Sequence, residues 1–204
     1  MFDSLVTYHV HANEPLPPNN ALAYQYILAG NGLFIRADTP LFSARLCLRT
    51  AIVRGLPPLT PHWQLKVPRI PGELLHTVYQ DAVRARQPNG TLREVLYQFH
   101  HNGARVLLKK PRQHGSAAAV IAAGTPDPAI LCDLHSHGNM AAFFSTTDNA
   151  DEQGLRLYAV IGRLDTRPEI RLRLGLYGNW QALPITAVFT HPGPFQDLHR
   201  EARL

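Results

Sequence analysis

A chain of 204 residues, 45% hydrophobic and 17% charged, has the composition of one sizeable globular domain, or of a domain with a small extension. No window approaches about eighteen uncharged apolar residues, which excludes a membrane span. "MFDSLVTYHVHANEPLPPNN" lacks a basic segment followed by an apolar core, so no secretory signal is read and the expected location is cytoplasmic. The net charge of +5 permits contact with nucleic acid, but the basic residues are scattered and lack interleaved aromatics, so a nucleic-acid partner is not expected. Cys47 and Cys132 lie far apart, form no CxxC pair, and are expected to be buried, reduced thiols.

Residues 1–67 are expected to form a β-rich N-terminal region, ending near Pro57, Pro58 and Pro61. Within it, "LAYQYILAGNGLFIRAD" reads as two strands around the turn Gly30-Asn31-Gly32. "SARLCLRTAIVRGL" reads as one or two more. The His9-Val10-His11 stretch is expected to be surface histidine.

Residues 68–204 are expected to form a second domain. Pro71 precedes apolar positions at Leu74, Leu75, Val78, Ala82 and Val83, a helical spacing expected to run until "PNG" at 88–90. Strands follow at "REVLYQFHH", "ARVLLKKP", "SAAAVIAAG" and "PAILCDLHSHG". A helix is expected after Ser145. Then come "GLRLYAVIGRLD" and "IRLRLGLYGNWQAL", a strand pair joined at "DTRPE", with Arg171 and Arg173 on the wet face. "PITAVFTHPG" is expected to be a last strand and "FQDLHREARL" a short helix or frayed end. The order points to an α/β (α+β) fold, one central sheet with helices packed against it.

The segment "LHSHGNMAAFFSTTD" carries the chemistry. If "AILCDLHSHG" is a strand, Ile130, Cys132 and Leu134 share one face and Asp133, His135 and His137 the other. Two imidazoles at i and i+2 reach a common ion. A helix starting at Ser145 would put Asp148 in its first turn, where its carboxylate could join the histidines. Two neutral imidazoles, one carboxylate and an open position form the ligand set of a catalytic zinc. A plainer reading competes: Ser145-x-x-Asp148 is close to a capping box, and acids suit a helix N-terminus. Spacing alone leaves both open.

At these residues the chain resembles the JAMM (MPN+) metalloproteases, whose motif joins a distant Glu to His-x-His-Pro and Ser-x-x-Asp. The departure is Gly138, where the family usually has Pro. The resemblance implies a cytidine-deaminase-like, central mixed β-sheet flanked by helices, and zinc bound by His135, His137 and Asp148. It implies that Ser145 supports the oxyanion and that an upstream glutamate is the general acid/base. Glu73 and Glu94 precede the motif; Glu94, after the helix, matches the family's position better. Asp133 either orients a histidine or is a solvated strand residue. Over most of its length the chain is also similar to the protein A family of the PRTRC system, a plasmid-associated bacterial cassette, in "YILAGNGLFIRA", "VRGL" and "YAVIGRLD". That cassette includes an E1-like (ThiF-type) protein, an E2-like protein and a ubiquitin-like protein. The implied activity is a zinc isopeptidase that processes or removes a ubiquitin-like C-terminal tail. A non-catalytic MPN-type scaffold in the same system is the alternative, and a plasmid-associated nucleic-acid binder a more distant one.

Overall fold

The computed structural model describes residues 4–13, 15–115, 120–122 and 127–199. The chain divides into two compact units. The first comprises Met1–Pro68, Gln153–Leu155 and Gly175–Gln181; the second comprises Arg69–Glu152, Arg156–Leu174 and Ala182–Leu204.

The first unit contains a five-stranded sheet in the order β1 to β5: β1 Val6–Val10, β2 Tyr24–Ala29, β3 Gly32–Asp38, β4 Phe42–Thr50 and β5 His62–Leu65. β2 and β3 form the expected hairpin, with Ala29 opposite Gly32 across Gly30-Asn31. "SARLCLRT" belongs to a single strand, β4. Ile27, Ala29, Phe34 and Leu59 form this sheet's core, and Cys47 packs against it only half-buried, unlike the fully buried Cys132. His11 is not a surface residue. The β1–β2 ladder continues through His11 N–H, which donates to Leu28 O at 2.8 Å, and the ring is wholly buried while Tyr8 and Val10 face solvent.

The second sheet is ordered β13-β12-β11-β10-β6-β7, with β14 beside β12. Its strands are β6 Leu96–His101, β7 Val106–Lys109, β10 Ile130–Ser136, β11 Leu155–Gly162, β12 Glu169–Leu176, β13 Asn179–Leu183 and β14 Gln196–Asp197. β10 pairs antiparallel with β6 and parallel with β11, so the sheet is mixed. A separate pair joins β8 Gln113–Gly115 to β9 Val120–Ala122; the remainder of "SAAAVIAAG" lies outside the described residues. Helix α1, Glu73–Ala82, buries Leu75, Val78 and Ala82. Each larger side chain contributes roughly 1.5–3 kcal/mol by leaving water. Tyr79 meets Phe195 edge-on, and Tyr97 Oη donates to Asp81 at 2.7 Å. Helix α2, Thr146–Asp151, buries no side chain at all. Among the described residues no helix is long and apolar enough to cross a membrane.

Several elements differ from the sequence reading. α1 ends at Ala82, because Arg84 and Ala85 switch to tighter bonds with Asp81 O and Ala82 O. "PNG" then closes a narrow loop, with Arg86 bridged to Leu92. "IRLRLGLYGNWQAL" is two strands, split by Tyr177-Gly178, both at positive φ, the backbone a two-residue hairpin requires. "PITAVFTHPG" is a short 3-10 helix, Ile185–Ala187, followed by one bridge from Phe189 to Ile70. Pro184 precedes that turn and has no N–H for a ladder. In "FQDLHREARL", Gln196 and Asp197 form β14, and residues 200–204 lie outside the described set.

Candidate metal centre

β10 brings the first two donors together. Leu131, Cys132 and Leu134 are fully buried, so both faces of this central strand are apolar until Asp133. His135 sits opposite Leu96 of β6 and Val160 of β11. His137 lies just past the strand end, held by its N–H donating to Ile161 O at 2.8 Å. The two Nε2 atoms are 3.1 Å apart. His137 Nδ1 lies 3.3 Å from Ala141 O; an Nδ1–H donated there leaves the Nε2 lone pair free.

Asp148 supplies the third donor, and here the two readings of Ser-x-x-Asp merge. Ser145 is the N-cap of α2. Its Oγ accepts from Asp148 N–H at 3.1 Å, and Asp148 Oδ2 accepts from Ser145 N–H at 2.5 Å. The capping box therefore exists, and it fixes the carboxylate so that Oδ1 points to His135 Nε2 at 3.3 Å. One oxygen caps the helix and the other faces the histidines. Donor atoms of His135, His137 and Asp148 all lie within 4.8 Å of one another. Tetrahedral zinc with bonds of about 2.0–2.1 Å sets its ligands about 3.3 Å apart, so this donor set fits such an ion in kind, and the separations of His135 Nε2 from His137 Nε2, 3.1 Å, and from Asp148 Oδ1, 3.3 Å, fit it in spacing.

Glu94 lies near the cluster, close enough for the Asp148 charge to act on it. It lies two residues before β6 rather than on a strand. Its placement comes from its neighbour: Val95 N–H donates to Ser136 Oγ at 3.0 Å, and Ser136 N–H donates to Val95 O at 2.9 Å. The β6–β10 register thus continues one pair beyond the ladder, to the residue next to Glu94. Glu94 is only 6% exposed. Burial, and then the Asp148 charge, push its carboxyl up to about 7. Glu73, the other upstream acid, is exposed on α1 and accepts from His191 at 3.1 Å. It is not part of the cluster.

Burial holds His135 down to about 4, with Asp148 opposing, and lowers His137 as well. Both imidazoles are therefore neutral near pH 7, the state a metal ligand needs. Asp133 takes neither expected role. Its carboxylate accepts from Gln98 at 3.0 Å and pairs with Arg156 at 2.7 Å.

Gly138 has φ +57°, and a Cβ there would lie 3.0 Å from Leu92 Cβ. Proline is locked near −65°, so this turn cannot take the family's usual residue. The following loop folds against β11: Arg163 N–H donates to Met140 O at 2.7 Å. Gly162 permits this approach, since a Cβ there would meet Met140 O at 2.3 Å. Phe143, half exposed, stands edge-on to His137 with ring centroids 4.8 Å apart.

Sequence reasoning also misplaced Arg173. Arg173 is buried, not on a wet strand face. It donates to Glu152 from Nε at 2.7 Å and to Asn149 at 2.7 Å. Burial pushes the Glu152 carboxyl up to about 8, with Arg173 opposing. Alternation along "RLRL" gave no signal of this, because the partner of Arg173 is 21 residues away in sequence. Ser136, the middle residue of His-x-His, was given no role by the sequence.

A comparison with curated proteins gives no significant match. A family model described as prokaryotic homologs of the JAB domain matches residues 74–175, half of the chain. Glu94, His135, His137, Ser145 and Asp148 all fall inside that span, whereas β1 to β5 precede it. With its His-x-His strand and its Ser-x-x-Asp helix cap inside the matched span, the chain belongs to the prokaryotic JAB-domain family.

Proposed function

We propose that this protein is a zinc-dependent peptidase or isopeptidase that processes or removes the C-terminal tail of a ubiquitin-like protein. The observation that carries this reading is the convergence of His135, His137 and Asp148 within 4.8 Å, beside a buried carboxyl pushed up to about 7. A scaffold has no need of a neutralisable acid next to three donor atoms, whereas a hydrolase does.

When bound, zinc supplies an electrophilic centre that polarises a carbonyl and acidifies water. The chain's own residues do the rest. Glu94 Oε takes a proton as the water oxygen adds to the carbonyl carbon. It returns that proton to the amide nitrogen as the C–N bond breaks, giving a carboxylic acid and an amine. Ser145 Oγ already accepts from Asp148 N–H, so its own O–H is free to donate to the carbonyl oxygen as charge develops. Half-exposed Phe143 and Met140 give the substrate an apolar seat next to His137.

The ubiquitin-like substrate, the E1-like and E2-like partners, the PRTRC-type cassette, the cytoplasmic setting and the cytidine-deaminase-like arrangement are part of this proposal. They rest on the motifs "YILAGNGLFIRA", "HSHGNMAAFFSTTD" and "YAVIGRLD". The test is cleavage of the cassette's ubiquitin-like protein carrying a short C-terminal extension, by wild type and by Glu94→Gln, with zinc measured in both. Cleavage by wild type alone, with zinc retained in the variant, is the expected result. Zinc and partner binding without cleavage by wild type would replace this reading with the scaffold.

A further inference from the structure

Helix α2 has six residues and buries none of them. A helix this short does not persist on propensity, and here no apolar face holds it to the sheet. Its position, and with it the position of the third donor Asp148, must be set by polar ties from elsewhere. Besides the capping box and the 3.3 Å contact of Asp148 with His135, one residue ties down the chain before, within and after the helix. The Arg173 guanidinium rises from β12, donates to Glu152 just past the helix end and to Asn149 within it, and lies 3.7 Å over the ring of Phe144 just before it. One planar side chain thus grips the segment before, within and after the helix. An ammonium group could not span these three contacts at once.

We infer that Arg173 is the positioning residue of the metal centre: it docks α2 onto the sheet and so presents the Asp148 carboxylate to His135 and His137. This inference rests on the metal-site reading for its purpose, but not for its geometry. In this role Arg173 acts through Asn149, Glu152 and Phe144.

The experiment uses Arg173→Met combined with Glu152→Gln, so that no lone charge stays buried, with Arg173→Lys as the conservative comparison. Amide hydrogen exchange is followed in the metal-free full chain, and zinc affinity is measured by chelator competition. The expected result is exchange at least about tenfold faster over 145–152, with β10 and β11 unchanged. Zinc affinity falls by about 10–100-fold, and Arg173→Lys lies between. Unchanged exchange over 145–152 would overturn the inference. So would equal acceleration in β10 and β11, which would mark Arg173 as a general prop of the domain. If wild type takes up no zinc, the metal reading fails, and the exchange pattern still decides whether Arg173 positions the helix.

Discussion

Glu94 and His135 illustrate how burial sets chemistry one residue at a time. The Glu94 carboxyl stands at about 7 against an ordinary 4.5. The folded chain keeps a proton that the unfolded chain releases between those values, so Glu94 costs stability as pH rises through about 7. His135 works in the other direction. Held at about 4 against 6.5, it is neutral in the folded chain while the unfolded chain is protonated, so its contribution is lost as pH falls from 6.5 through 4. In the metal-free protein the two slopes partly cancel. Glu94→Gln should therefore raise stability at pH 8 by about 1–3 kcal/mol, leave it unchanged near pH 4, and steepen the loss between pH 6.5 and 4.5. Denaturant titrations at these pH values measure all three. Gly138→Pro is the converse case. The family's usual residue should here lower stability by about 1–3 kcal/mol or more and weaken zinc binding, because φ +57° is closed to proline; thermal melts and chelator competition report both.

At the scale of elements, the sequence announced the strand and the cap but not the bonds between them. Alternating apolar residues in "AILCDLHSHG" located β10, and "STTD" located the N-cap of α2. The functional and the plain readings of that cap are compatible, since Asp148 has one oxygen on the Ser145 N–H and the other 3.3 Å from His135. Glu94 was picked from its place after the first helix, whereas its neighbour Val95 is tied down by Ser136, 41 residues away. Ser136→Ala leaves Val95 N–H buried without that acceptor and should destabilise the domain by about 1–3 kcal/mol. It should also slow the proposed cleavage while leaving any zinc uptake intact, because neither histidine nor Asp148 is disturbed. A variant that lost zinc as readily as His135→Ala would show that Ser136 acts on the ligands instead.

For the molecule as a whole, zinc should bind the folded state and not the dispersed donors of the unfolded chain. Wild type at about 100-fold excess of free zinc over its Kd should gain about 2.7 kcal/mol, reversed by a chelator and absent in His135→Ala. Calorimetry with and without metal tests this. An equal gain in His135→Ala would place the ion elsewhere. The sheet of β1 to β5 lies outside the matched family span, so its melting is not expected to respond to zinc where the two units unfold separately.

Local pattern was enough to determine the β2–β3 hairpin, the apolar face of α1, the His-x-His strand and the helix cap. Each is written in residues within one turn or one strand of each other, and period-two and period-3.6 burial needs no distant partner. Only the tertiary structure decided where those elements meet. It buried Arg173, because Glu152 and Asn149 come to it from another element. It buried His11, because β1 extends its ladder on β2. It gave Asp133 to Arg156 and Gln98 rather than to a histidine. A charged side chain reads as solvated in sequence and is buried only when a partner is brought to it, and that partner is set by strand order, which no local spacing encodes.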